Sequence, residues 1–151
     1  MLGDGYRVLA LDNFDPFYDP AIKQGNLDDL TRWPKFEFVK GDIRDRVLLH
    51  QIFTQNTVNA VIHLAAKAGV RPSILNPTEY NDVNVNGTLQ LLEAMAQAKV
   101  PRLLFASSSS VYGNQEKTPF SETDDVSQPI SPYAATKRAG ELLAHTYAQL
   151  H

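Results

Sequence analysis

Cysteine is absent from this sequence, which excludes disulfide bridges and thiolate metal sites. The absence fits a reducing compartment, and the cytoplasm is the expected location. A basic excess is absent too. Lys and Arg number 14 against 17 Asp and Glu, a net charge of −3, which argues against a nucleic-acid partner. No apolar run approaches the ~20 residues that a membrane-spanning helix needs, and Met1 is not followed by a signal-peptide pattern, so no membrane partner is expected. The four histidines, at 50, 63, 145 and 151, show no metal-ligand spacing, and no metal site is expected. Internal repeats and low-complexity tracts are missing. What is present is 151 residues, 43% of them hydrophobic, enough for one domain with a real core.

Strand and helix signals alternate along the chain. Tyr6–Leu11 reads as a strand ending in Asp12, followed by a polar connection with a helical turn near Ile22–Leu30. Phe36–Lys40 is a short alternating strand. Asp45 is placed to cap a helix over Arg46–Gln55, with Leu48, Ile52 and Phe53 as its apolar stripe. Ala60–Leu64 reads as a buried parallel strand, followed by a loop containing Arg71 and Pro72. A long helix is predicted from Glu79 to Ala98, with Val85, Leu89, Leu92 and Met95 along one side and Pro101 beyond its end. Arg102–Ala106 is the next strand, and Gly113–Ile130 is a polar, proline-rich loop. Ser131 then caps a last helix with Pro132 at its first position. Alternating strands and helices imply an α/β fold with a parallel, doubly wound sheet.

Two blocks carry chemistry. Phe105–Ala106 runs into Ser107, Ser108, Ser109 and Ser110, a strand that ends in hydroxyls. Downstream, Tyr133 and Lys137 stand at i and i+4 on one helix face. An ammonium beside a phenol favours the phenolate. A tyrosine tuned that way takes a proton from a sugar hydroxyl near neutral pH. A serine from the strand end can hold the same oxygen. This is the chemistry of a nicotinamide oxidoreductase.

The ordered set of motifs resembles an extended short-chain dehydrogenase/reductase of the NAD-dependent epimerase/dehydratase branch, and is most similar to the UDP-glucuronate 4-epimerases. The stretches that carry the resemblance are Leu11–Phe14, Gly41–Asp45, His63–Ala66, Ala68–Ser73, Asn84–Thr88, the serine block and the Tyr133/Lys137 pair. A lone Tyr-x-x-x-Lys is weak; the ordered set is specific.

The resemblance implies roles. Tyr133 is the general acid/base, Lys137 binds the nicotinamide ribose, and Ser108 matches the catalytic Ser/Thr. Asp12, with Asn13, meets the adenosine ribose and favours NAD over NADP. The bland alternative for Asp12 is a turn-forming aspartate. Asp42 and Ile43 flank the adenine, or form an ordinary strand exit. Leu64, Ala65 and Ala66 border the cofactor, the two alanines letting backbone approach it. Asn84 lies near the nicotinamide ribose. Lys67, Arg71 and Ser73 lie in one loop placed near the substrate, and Ser109 and Ser110 contact the substrate. His63 reads as a packed core residue. An Asp-Glu pair, which related dehydratases carry beside the catalytic serine, is not present, and this argues against dehydration.

The family's opening Gly-x-x-Gly-x-x-Gly, which holds a pyrophosphate at a helix N-terminus, is also not in this sequence. The expectation is therefore an incomplete Rossmann-like domain over residues 1–151, without its first strand, first helix or the substrate domain. In the strand order 3-2-1-4-5-6 the missing strand is central, so the sheet must close up, stay split, or not fold. The expected parent activity is NAD-dependent 4-epimerisation of UDP-glucuronate, in a homodimer paired through the Glu79–Ala98 and Pro132–Leu150 helices. The alternatives are a related dehydratase or decarboxylase, a truncated non-catalytic fragment, and a non-catalytic nucleotide-binding or dimerising module. As given, the chain is not expected to epimerise.

Overall fold

A computed structural model describes residues 1–151, which form two compact units, Met1–Asp42 and Ile43–His151.

In the first unit, β1 (Val8–Asp12) and β2 (Phe36–Lys40) pair in parallel, Val8 opposite Phe36 and Asp12 opposite Lys40. Between them runs α1 (Pro20–Leu30). Asp19 starts it by accepting the Ala21 N–H, and Pro20 occupies a position whose missing N–H costs nothing. The helical turn read from the sequence is thus three turns long. α1 buries none of its residues, because its apolar positions make no stripe.

In the second unit, β3 (Val61–His63) and β4 (Leu103–Phe105) pair in parallel, Val61 opposite Leu103 and His63 opposite Phe105. The pairs β1–β2 and β3–β4 form two separate two-stranded sheets. Helix α2 (Arg46–Gln55) starts at Asp45, whose carboxylate accepts the Leu48 N–H, and buries Leu49, Ile52 and Phe53. The connection from β3 to β4 is helical almost throughout: α3 (Val70–Leu75), α4 (Pro77–Asn81), a π-helical turn over Asp82–Gly87, and α5 (Thr88–Gln97). Gly69 enters α3 at φ +99°, a conformation that L side chains rarely adopt.

Two sequence expectations change here. The Arg71 loop is a helix, and the Glu79–Ala98 helix contains a π turn. The buried face carries Asn84 and Thr88, in one i, i+4 row with Leu92 and, three residues on, Met95, while Val85 and Leu89 beside them are half-buried. Those two polar residues are buried because their hydrogen bonds are made inside the protein.

Helix α6 (Pro132–Leu150) begins at Ser131, whose hydroxyl accepts the Ala134 N–H. It crosses β4 at Gly140, where a Cβ would overlap the Phe105 ring, so glycine sets how closely helix and strand approach. No helix is long and apolar enough to cross a membrane.

Candidate active site

The chemistry read from the sequence falls in both units. In the first, the backbone after β1 folds back in a chain of side-chain to backbone bonds. The Phe14 N–H donates to Asp12 Oδ1 at 2.6 Å, the Asp15 N–H to Asn13 Oδ1 at 2.9 Å, and the Phe17 N–H to Asp15 Oδ1 at 2.9 Å. Phe14 sits at φ +58°, in the left-handed region. Asn13 Nδ2 donates to Asp42 Oδ2 at 2.9 Å, bringing together residues from the ends of both strands. Lys23 of α1 was not singled out by sequence, yet its ammonium lies 2.8 Å from Asp12 Oδ1. No spacing signal marks it, since the pair spans eleven residues and a reversal of the chain.

In the second unit, the end of β4 meets the start of α6. Beyond Phe105, Ser108 caps a 3₁₀ turn over Ser109–Tyr112, its hydroxyl accepting the Ser110 N–H at 3.2 Å. Ser108 and Ser110 are half-buried and Ser109 is exposed. Ser107 donates to the Glu141 carboxylate, which also accepts from Arg138 at 2.8 Å.

Lys137 is 5% exposed. Its Nζ donates to the Ala106 carbonyl at 2.7 Å and stands 5.1 Å from the centre of the Phe105 ring. Burial holds its pKa below the usual lysine range. An ammonium has three donors, and the fold uses one of them. Tyr133, one turn earlier, is half-buried. Its ring packs edge-on against Tyr80 with centroids 6.2 Å apart, while the Tyr80 hydroxyl donates to the Ala68 carbonyl.

Asn84 is 2% exposed and fully engaged. Its Oδ1 accepts the Lys67 N–H at 2.7 Å, and its Nδ2 donates to the Lys67 carbonyl at 3.0 Å and to Thr136 Oγ1 at 3.1 Å. It therefore clamps the loop after β3 to α6. That loop presents Leu64 and Ala65 exposed and Ala66 half-buried. Lys67 pairs with Glu79 at 3.0 Å, and Arg71 is exposed on α3. Ile43 is buried against the π turn, where a Cβ at Gly87 would come within 2.6 Å of its Cδ1.

His63 is 3% exposed, with Nε2 2.9 Å from Thr88 Oγ1. The Thr88 hydroxyl gives its one proton to the Asn84 carbonyl at 2.6 Å, so Nε2 must be the donor to Thr88. Burial, then the charge of Lys137, lowers the His63 pKa from 6.5 to about 4. Between these values the unfolded chain takes up a proton that the folded chain refuses. Stability is therefore full above pH 6.5 and is lost as pH falls towards 4, by about 3 kcal/mol. Urea midpoints measured across this range should fall more steeply for the unaltered chain than for His63→Gln. Parallel curves would show that His63 does not titrate in this way.

Among sequence families, the one described as GDP-mannose 4,6 dehydratase matches residues 1–151, the entire chain. The chain belongs to this family.

Relatives of the GDP-mannose 4,6 dehydratase family member include a UDP-glucuronate 4-epimerase of Thermodesulfobacterium geofontis, 45% identical over 151 residues, which are 100% of this chain and 46% of that protein. UDP-glucuronate 4-epimerase 5 of Arabidopsis thaliana is 49% identical over 150 residues, 99% of this chain and 34% of that protein. The chain thus spans a third to a half of the length of these relatives. The UDP-glucose 4-epimerase of Bifidobacterium longum, solved in complex with NAD+ and UDP, superposes with a TM-score of 0.85 at 30% identity. That match covers 98% of this chain and 44% of the other. The family member is accordingly an α/β chain with the parallel, Rossmann-like architecture of such epimerases.

Proposed function

We propose that this chain carries the cofactor-binding residues and the proton-transfer residues of an NAD-dependent nucleotide-sugar 4-epimerase acting on UDP-glucuronate. The observation that carries the reading is the buried Lys137, one turn from Tyr133, with its ammonium on the carbonyl of Ala106, two residues before Ser108 in the chain. The names of the relatives supply the substrate.

The residues present fit a nicotinamide cofactor. Two Lys137 donors remain for the hydroxyls of a ribose, and Ala65 and Ala66 leave backbone accessible. In the first unit Asp12 and Asn13 are the candidates to hold an adenosine ribose and Asp42 to flank the adenine; in the second, Ile43 is the candidate to flank the adenine and Asn84 to lie near the nicotinamide ribose. NAD, when bound, supplies reversible hydride exchange at sugar C4. Tyr133 takes the proton of the 4-hydroxyl as that carbon is oxidised and returns it when the opposite face is reduced. Ser108 holds the same oxygen. Arg71 offers an exposed cation to an anionic sugar nucleotide, and Ser109 and Ser110 offer hydroxyls. Ser109 and Ser110 supply no acid and base for eliminating water, which favours epimerisation over the dehydration named in the family description.

Pairing of two copies through α5 and α6 belongs to the same reading. Of the apolar residues expected on the pairing face, Leu142 is exposed on α6 and Leu143 and Tyr147 are half-buried, whereas Leu91 of α5 is buried within its own unit and is no part of such a face.

A chimera tests the proposal. Residues 1–151 would replace the matching segment of the Thermodesulfobacterium geofontis relative. The chimera is expected to interconvert UDP-glucuronate and its C4 epimer, and to bind NAD at least ~10-fold more tightly than NADP, because Asp12 opposes a 2′-phosphate. Release of a 4-keto-6-deoxy sugar from a nucleotide hexose would replace epimerase by dehydratase. Equal affinity for NADP would overturn the role of Asp12.

A further inference from the structure

Ser73 is 0% exposed, yet its side chain is polar and lies 60 residues from the partner it serves. Its hydroxyl donates to the Val70 carbonyl at 2.6 Å. A hydroxyl has one proton, so towards its other neighbour it can only accept. That neighbour is the backbone N–H of Tyr133, at 3.1 Å.

The first turn of a helix leaves N–H groups without intrahelical partners. In α6, Pro132 has none to satisfy, and the local cap Ser131 takes the N–H of Ala134 with its hydroxyl and that of Ala135 with its carbonyl. The Tyr133 N–H remains, and the chain covers it from α3. The same α3 carries Arg71, and the adjoining α4 supplies Tyr80, whose ring lies edge-on to the Tyr133 ring. Tyr133 is thus held by its backbone through Ser73 and by its ring through Tyr80.

We infer that Ser73 is a positioning residue that fixes Tyr133, through its backbone N–H, for proton transfer. The inference rests on the proposed role of Tyr133 as acid/base. Ser73 itself, sealed from solvent, touches no substrate. Its contribution is angular. Freed from Ser73, the first turn of α6 can fray or rotate, and a reacting group displaced by ~1 Å can lose ~10²-fold in rate.

Two measurements test this. In the full 151-residue chain, Ser73→Ala should raise the amide exchange rate of Tyr133 by ~10-fold or more while leaving that of Ala134, bonded to Ser131, within a few-fold. In the chimera, Ser73→Ala should lower kcat by ~10- to 100-fold with KM for UDP-glucuronate within ~3-fold, and Ser73→Thr, which keeps the hydroxyl, should recover most of the loss. If Ser73→Thr does not fold, Ser73→Cys, which keeps a weak acceptor at the same site, should fall between the unaltered chain and Ser73→Ala. An unchanged Tyr133 exchange rate, or an unchanged kcat in Ser73→Ala, would overturn the inference. So would equal exposure of both amides, since that reports general loosening of α6. If the unaltered chimera shows no epimerisation, the functional reading falls, while the exchange result still decides whether Ser73 holds Tyr133.

Discussion

Replacing Tyr133 by phenylalanine in the chimera is expected to lower epimerase turnover by ~10²- to 10⁴-fold, the scale for loss of a general acid/base. The substitution is clean because of how the ring is held. Its restraints are the edge contact with Tyr80 and the backbone bond to Ser73, and neither involves the phenol oxygen. The fold makes no hydrogen bond to that oxygen, so its removal strands no buried partner. Thermal midpoints should therefore coincide, and KM for UDP-glucuronate should change little. Steady-state kinetics beside a thermal melt separates the outcomes. Near-full turnover in Tyr133→Phe would remove Tyr133 from the chemistry.

Lys137→Met should be nearly as damaging to turnover, by ~10²-fold or more, and should weaken NAD binding as well. Here two effects on the fold oppose each other. Loss of the ammonium leaves the Ala106 carbonyl without its donor, at a cost of ~1–3 kcal/mol. Against this, a charge that burial disfavours is removed, as the depressed lysine pKa requires, and a methionine stem fills similar space over Phe105. The two are of similar size, so the thermal midpoint should move by no more than a few degrees. Calorimetric titration with NAD beside a melt checks both parts. Unweakened NAD affinity would show that the two remaining donors do not hold the cofactor. A large fall in midpoint would show that Lys137 serves the fold before it serves the ligand.

Some of this protein was determined by local sequence alone. Asp45 and Ser131 start helices because their side chains accept the N–H groups of Leu48 and Ala134, three residues on. The strands over Val8–Asp12, Phe36–Lys40, Val61–His63 and Leu103–Phe105 lie within or at the segments marked by apolar runs. The Tyr133/Lys137 spacing puts both residues on one face of any helix. These features depend on contacts within a few residues, and such contacts are written in the chain.

Other features needed the tertiary structure. Asn84 and Thr88 lie on the buried side of their helix, where their partners are Lys67, Thr136 and His63. A hydrophobicity pattern cannot show that a polar residue will find hydrogen-bond partners as far as 52 residues away. Lys23 reaches Asp12 because the chain reverses after β1. Lys137 lies on the Ala106 carbonyl because Gly140 lets α6 approach β4. Ser73, read from sequence as part of a loop, lies in a helix and takes the Tyr133 N–H across 60 residues. The sequence therefore determined which groups could do chemistry, through local spacing and residue type. The tertiary structure decided which of them are buried, which hydrogen-bond capacity is already used, and what holds Tyr133 in place, because those properties arise only when distant segments pack and exclude water.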